Sequence, residues 1–453
     1  MSDLEALMWN LDKDPRLSST VGNLTILDQA PDFDRFRARM QRAAEAIPRF
    51  HQRVVPAFGR MAPPRWQADP DFDIDHHLRW ISLGRRNSAK DLYRTVMRIF
   101  GDPFDRTRPL WEMVVIEGLP NDRAAMLQRL HHTLMDGEGA LRISEQFIDL
   151  ERDAPLPEVV PTPTDPPPDT TLWSTVADTA EHLVGRGLGI ASRAGGQVAD
   201  GVRHPVDAAR NGAEMSHSAM RQIRMTAEPL SPIWTHRSLR RSFNSLDVPL
   251  TSAKKAAANL GGSVNDVFVT GAAAAAGAYH RERGADIEAL RMAMPISRRT
   301  DGSAGGNMFS LSQTEVPVGE FDMAEHFGLI HDLLTETRAE PATQALEGIS
   351  GLVNLLPTSV LVRSAYRIAS TVDFTTSNLR AAPFDCYMGG ALIEANYPIG
   401  PLAGTAFNLT TMSYRGTLWM GLVVDREAIA EPKRLTRCMK KSFESLFAAA
   451  GVD

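Results

Sequence analysis

The sequence predicts an α/β protein, α+β in the balance of its elements, built as two halves joined by a long linker. Three observations carry this. Strand-like alternation followed by helical spacing opens the chain, and the same kind of pattern begins again near residue 231. Between them lie a proline-rich run and a glycine-broken helical stretch. A chain of 453 residues also exceeds one ordinary core, so two domains are expected, with boundaries at 1–150, 151–230 (linker) and 231–453.

Taken in order, residues 20–28 (TVGNLTILD) alternate as a strand. Phe33, Phe36, Met40, Ala43 and Ile47 recur at helical spacing, and Pro48 closes that helix. Residues 109–117 and 123–132 read as strands around a turn from Gly118 to Asp122, and a helix is expected from about Asp136 to Leu150. Seven prolines between Pro155 and Pro168 make a semi-extended linker, and 171–225 reads as loosely amphipathic helices. The GRGLG run there follows no strand and lacks dinucleotide-binding spacing. In the second half a small-residue helix opens at Ser263-Val264-Asn265-Asp266. Met292 to Ile296 is a strand, 323–340 and 345–370 are helical, 406–413 and 417–425 are strands, and a basic amphipathic helix runs from Pro432 to Ala449.

Composition narrows function by exclusion. The net charge of -6 gives no electrostatic support for nucleic-acid binding. Two cysteines, Cys386 and Cys438, allow no disulfide framework and point to a reducing compartment. The acidic N-terminus is not that of a signal peptide, and the most apolar stretch, Val267 to Tyr279, is too short to span a bilayer.

The chemistry concentrates in QRLHHTLMDGEG, where a strand ends and a helix is expected to begin. Neighbouring strand residues face opposite ways, so only one of His131 and His132 can face a given cleft. Asp136 stands at the helix entry, with Gly137 giving a tight backbone. A neutral imidazole can accept a proton from an alcohol, so a general base is one reading. A structural histidine pair is another. Metal binding is the weakest reading, because the two rings diverge and neither HExxH nor CxxC is present. No Gly-x-Ser-x-Gly elbow and no cysteine signature supplies a protein nucleophile.

HHTLMDG resembles the HHxxxDG motif of CoA-dependent acyltransferases of the chloramphenicol-acetyltransferase type, shared with peptide-synthetase condensation domains. Further segments resemble the bacterial wax ester synthase/diacylglycerol acyltransferases: Ile47 to Val54 (IPRFHQRV), Asp105 to Trp111 (DRTRPLW), Ser263 to Asp266, Pro295 to Arg299 with Gly306-Asn307, Ser377-Asn378, Tyr397 to Pro401, and Asn408 to Tyr414. The match spans nearly the whole chain outside 151–230. It departs from the family at Leu379-Arg380-Ala381-Ala382-Pro383, where Val-Pro-Gly-Pro is usual.

The resemblance implies two chloramphenicol-acetyltransferase-like domains joined by a helical linker. It also implies transfer of an acyl group from acyl-CoA, a co-substrate, to diacylglycerol or a long-chain alcohol, with no cofactor and no metal. By that resemblance His132 is the general base, His131 supports it, and Asp136 beside Gly137 is structural, with Arg298 a candidate partner. Asn265 and Asp266 then shape the substrate pocket, or they cap their helix. An oxyanion donor is still needed. Alternation aims Asn408 and Thr410 the same way, though both also read as ordinary strand residues. The small-residue helix Gly271 to Gly277 leaves room for an acyl tunnel or packs closely. The helix 432–449 suits an anionic membrane, CoA phosphates or a packed face. The expectation is a cytoplasmic enzyme held at the inner membrane or at lipid droplets. A protein that is primarily a wax ester synthase, a non-catalytic lipid-droplet protein of the same fold, and a condensation domain are the alternatives.

Overall fold

Ser2 starts the first helix, α1 (Asp3–Leu11), through a reciprocal cap with Glu5. The computed structural model describes residues 1–57, 63–84, 87–134, 144–155, 229–297, 309–339 and 357–452. The linker between 156 and 228, the Asp136-Gly137 step, Arg298-Arg299, Gly306-Asn307 and the first part of the 345–370 helix lie outside the described residues.

Strand β1 (Thr20–Leu27) buries Leu24 and Leu27. Helix α2 (Phe33–Ala46), capped by Asp32, buries Phe36, Met40 and Ala43. Its first residue, Phe33, at the helix start, stays 48% exposed and stands edge-to-face with Trp80. A small ribbon, β2 (Gln52–Val55) with β3 (Arg65–Ala68), precedes β4 (Leu78–Ser82) and helix α3 (Ala89–Gly101). The hairpin β5 (Trp111–Glu117) to β6 (Ala124–His131) turns where Gly118, Asn121 and Asp122 all take positive φ.

The helix expected from Asp136 to Leu150 does not reach Leu150. Of its described part, Ser144 is helical, but 145–148 is turn and coil and Asp149 pairs with Tyr387 through two backbone hydrogen bonds of 2.8 Å. A sheet-edge partner for the backbone outcompetes a further helical turn there.

The second half runs β7 (Arg241–Pro249), α4 (Leu250–Asn259), α5 (Val264–Arg281), β8 (Ala289–Ser297), β9 (Phe309–Pro317), α6 (Met323–Ala339), α7 (Thr358–Ala369), β10 (Phe374–Arg380), β11 (Tyr387–Met388), β12 (Ala391–Ile399), β13 (Phe407–Tyr414), β14 (Thr417–Asp425) and α8 (Pro432–Ala449). One sheet has the order β11-β12-β1-β6-β5-β4 and the other β7-β14-β13-β10-β8-β9. Strands β11 and β12 follow residue 231 yet complete the first sheet, with β12 antiparallel to β1. Immediately after Ile399 the chain turns back to β13 in the second sheet.

The join between the sheets is tight. A Cβ on Gly421 of β14 would overlap the Pro398 carbonyl oxygen of β12. Helix α5 is the centre of the second half and is buried nearly all round. Its small residues serve close packing: a Cβ on Gly271 would overlap the Phe443 ring of α8, and one on Gly277 the Val318 carbonyl. The space beside Gly271 and Gly277 is therefore filled by neighbours rather than left open.

Candidate active site

Strand alternation decides the fate of the two histidines. Residues Gln128, Leu130 and, one step beyond the strand, His132 share one face of β6; Arg129 and His131 share the other. The ladder continues to His132, whose N–H donates to the Ser19 carbonyl at 3.0 Å.

His131 is buried, edge-on to Trp9 and Phe104. Its Nδ1 accepts the Thr133 N–H at 3.2 Å and lies 2.8 Å from the Thr133 hydroxyl. With Nδ1 an acceptor, the ring proton belongs on Nε2, which lies 3.6 Å from Asp12 Oδ2. Burial pushes the Asp12 carboxyl up, but the nearby His131 ring together with the Ser19 N–H and Ser18 outweighs it and holds Asp12 below the usual carboxylate range. Asp12 also accepts the Ser19 N–H at 3.0 Å, so one carboxylate ties His131 to the start of β1. His132 is half-buried.

Sequence reasoning misses what holds the turn after His132. Arg49, from the segment IPRFHQRV, donates to the carbonyls of Thr133 at 2.9 Å and Leu134 at 3.1 Å, and to the buried Glu5 at 2.8 Å. The signal is a lone arginine beside a proline, which says nothing of its partner.

Asp266 is occupied by other work. Its Oδ2 accepts the Ser263 N–H at 2.7 Å, closing the cap of α5, and lies 2.9 Å from His331 Nδ1. Its neighbour Asn265 accepts from Asn378 of β10 at 3.3 Å. None of these hydrogen bonds involves His132.

Asn408 and Thr410 do share a face of β13, since the Thr410 hydroxyl donates to Asn408 Oδ1 at 2.7 Å. Asn408 Nδ2 donates to the Pro401 carbonyl at 3.0 Å. Its carboxamide fills the space that a Cβ on Gly400 would need. Continuing the β1–β12 register by one residue sets Gly400 beside Val21, which pairs with Leu130. Asn408 therefore lies over the same face of the first sheet as His132, two strands across and two residues along, or about 12 Å by strand geometry.

Burial pushes the Cys438 thiol up to about 11 and raises that of Cys386, so neither is a thiolate at neutral pH. Among the described residues no His, Cys, Asp or Glu group could hold a metal ion. A cavity of about 180 Å³ lies between α5, α6 and α8, lined by Ala274, Phe321, Cys438 and Ser445, and none of the candidate residues reaches it.

Known structures share this fold. A wax ester synthase/diacylglycerol acyltransferase from Marinobacter aquaeolei VT8 aligns over 99% of both chains at 20% identity and a TM-score of 0.63. The first condensation domain of the calcium-dependent antibiotic synthetase aligns over 99% of this chain and 95% of its own, at 16% identity and a TM-score of 0.59. Sequence comparison goes further. Residues 1–268 match the wax ester synthase/diacylglycerol acyltransferase catalytic domain, and 305–447 match the C-terminal domain of the same family. A putative diacylglycerol O-acyltransferase of Mycobacterium tuberculosis (strain H37Rv) is 32% identical over 456 residues, 100% of this chain and 92% of the relative. A second from that strain is 26% identical over 470 residues, 99% of this chain and 97% of the relative. The protein is an acyl-CoA-dependent acyltransferase. It belongs to the wax ester synthase/diacylglycerol acyltransferase family.

Proposed function

We propose that this enzyme esterifies diacylglycerol to triacylglycerol, with long-chain alcohols as a second class of acceptor and His132 as the general base. One observation carries the role of His132: its partner in the motif is locked into the core by Thr133 and Asp12, while His132 lies on the opposite side of the strand and keeps partial exposure. The His132 imidazole takes the acceptor hydroxyl proton as that oxygen attacks the thioester carbonyl carbon. The tetrahedral adduct then collapses, the C–S bond breaks, and the proton passes to the departing CoA sulfur. Asn408 stands on the same face as a donor for the developing oxyanion. The raised thiols of Cys386 and Cys438 favour direct transfer without an acyl-enzyme.

The diacylglycerol acceptor is favoured by the names of the mycobacterial relatives, which call them diacylglycerol O-acyltransferases. The test is a competition assay with one acyl-CoA and both acceptors, resolved by thin-layer chromatography. Triacylglycerol in excess supports the reading; wax ester alone would make the protein primarily a wax ester synthase.

We further propose peripheral attachment to the cytoplasmic face of the inner membrane or to lipid droplets. No helix among the described residues is long and apolar enough to cross a membrane. The apolar side of α8 cannot insert, because Leu435, Met439, Phe443 and Leu446 are buried in the core. Its exposed side offers Lys433, Arg437, Lys440 and Lys441.

A further inference from the structure

The face of the first sheet that carries His132 also carries a polar floor. Its rows, set by the registers of β5, β6, β1 and β12, run Trp111–Leu130–Val21 and then Met113–Gln128–Asn23–Pro398. Below them Thr25 pairs with Asn396. Strand β1 is flanked on both sides, yet Val21 and Asn23 are half-exposed. Val21 and Asn23 are thus the partly exposed positions in rows that are otherwise buried.

Most of the polar groups on the floor satisfy one another. Asn23 Nδ2 donates to Asn396 Oδ1 at 2.8 Å and to the Thr25 hydroxyl at 2.9 Å, and Thr25 donates to Asn396 Oδ1 at 2.9 Å. Two atoms are left over. Gln128 is 6% exposed, and its side-chain Nε2 is sealed from water with no hydrogen-bond partner among the described residues. Directly opposite, Asn23 Oδ1 is also sealed and unpartnered. An amide donor left unpaired in the interior is costly and calls for an acceptor that arrives with a ligand or as an ordered water. Gln128 stands four residues from His132 on the same face, about 13 Å along the strand.

We propose that Gln128, beside Asn23, forms a subsite for a substrate carbonyl oxygen set back along the strand from the reacting centre. This rests on the reading of His132 as the base on this face. Two substrates bring such a carbonyl: a diacylglycerol carries ester carbonyls next to its hydroxyl, and acyl-CoA carries pantetheine amides next to its thioester. A simple long-chain alcohol carries none.

The test is Gln128→Met in the full-length enzyme, which keeps the side chain's length and removes its donor. Three values of kcat/KM are compared with wild type: diacylglycerol and a long-chain alcohol, each at saturating acyl-CoA, and acyl-CoA itself. Loss of a hydrogen bond of ordinary strength predicts a fall of roughly fivefold to thirtyfold. A fall for diacylglycerol alone identifies the ester carbonyl. A fall for acyl-CoA alone, the same with either acceptor, identifies the pantetheine amide. No change in any of the three overturns the proposal, as does an equal fall in all three. The Gln128→Met melting temperature should hold or rise, because an unpaired buried donor is removed. If it drops, Gln128→Glu, of the same size but without the donor when ionised, carries the same comparison. His132→Ala is run beside them: activity retained there removes the base assignment, whereas the Gln128 comparison turns on discrimination alone.

Discussion

The guanidinium of Arg49 holds the backbone of Thr133 from below, Nη1 to carbonyl at 2.9 Å, immediately after the second histidine of the motif. The same Nη1 reaches Leu134 and the buried Glu5, so the first turn of the chain, the IPRFHQRV segment and the histidine turn are fastened at one point. Arg49→Met should displace His132 without touching it. We expect kcat to fall by about 10- to 100-fold, the scale of a small misplacement at a reacting group. Melting should also drop, because Glu5 is left buried without its partner. Unchanged kcat in a well-folded variant would show that the turn holds itself.

The two histidines should separate cleanly. His132→Ala is expected to lower activity by about 10² to 10⁴ with little change in melting. His131→Ala removes a ring packed between Trp9 and Phe104 and strips Asp12 of its partner. Its cost should appear first as stability, roughly 2–4 kcal/mol. Wild-type activity in His132→Ala would end the base assignment.

Buried titratable groups set a pH signature. Burial lowers His280 to about 4, while its ring is held between Ala276 and Ser231. Its contribution is complete above 6.5 and is lost as pH falls from there toward 4, on the order of 3 kcal/mol. Burial raises Asp373 to about 6, so its contribution runs the other way, complete below the ordinary carboxylate value and lost as pH rises through 6. Urea midpoints at pH 7 and 4.5 should show His280→Gln gaining on wild type at the lower pH. Asp373→Asn should gain on wild type at the higher. Parallel pH profiles for all three proteins would refute both shifts.

Gly421 tests the seam between the sheets. Gly421→Ala forces a methyl against the Pro398 backbone, which cannot rotate away, and should cost at least about 1–3 kcal/mol. Gly328 on α6 has open space where a Cβ would go. Gly328→Ala should stabilise by roughly 0.5–1 kcal/mol. Thermal melts of the pair check both signs, and destabilisation of equal size in the two would count against the seam.

Membrane attachment through α8 should be electrostatic, because its apolar residues face the core. Each exposed cation adds about 1 kcal/mol near an anionic surface, and salt screens it. Flotation with anionic liposomes should fall off at high salt, and replacing Lys440 and Lys441 by Gln should have the same effect. Binding that survives high salt would point away from α8.

Much of the fold is legible locally. The cap Ser263 with Asp266 starts α5, and α8 runs from Pro432 to Ala449 as its periodicity requires. The strands at 20–27, 111–131 and 407–425 carry their own alternation. Helix α3 lies outside the sequence expectation although its signal is present: Ser88 caps it, and Leu92, Val96, Ile99 and Phe100 recur on one face. Of the site, the motif marks both histidines and alternation says that they must part.

The sequence by itself determined the family and the acyl-transfer chemistry and marked the histidine pair, because those are written in runs of contiguous residues. Tertiary structure alone decided which histidine is locked, that Asp12 and Arg49 hold the motif, and that β12 crosses from the second half to complete the first sheet. It also set Asn408 over the face of His132, and Gln128 against Asn23. The physical reason is the same in each case. A strand's alternation names its two faces but not its neighbours, and a hydrogen-bond partner 84 or 371 residues away, as for Arg49 with Thr133 or Thr25 with Asn396, leaves no local pattern.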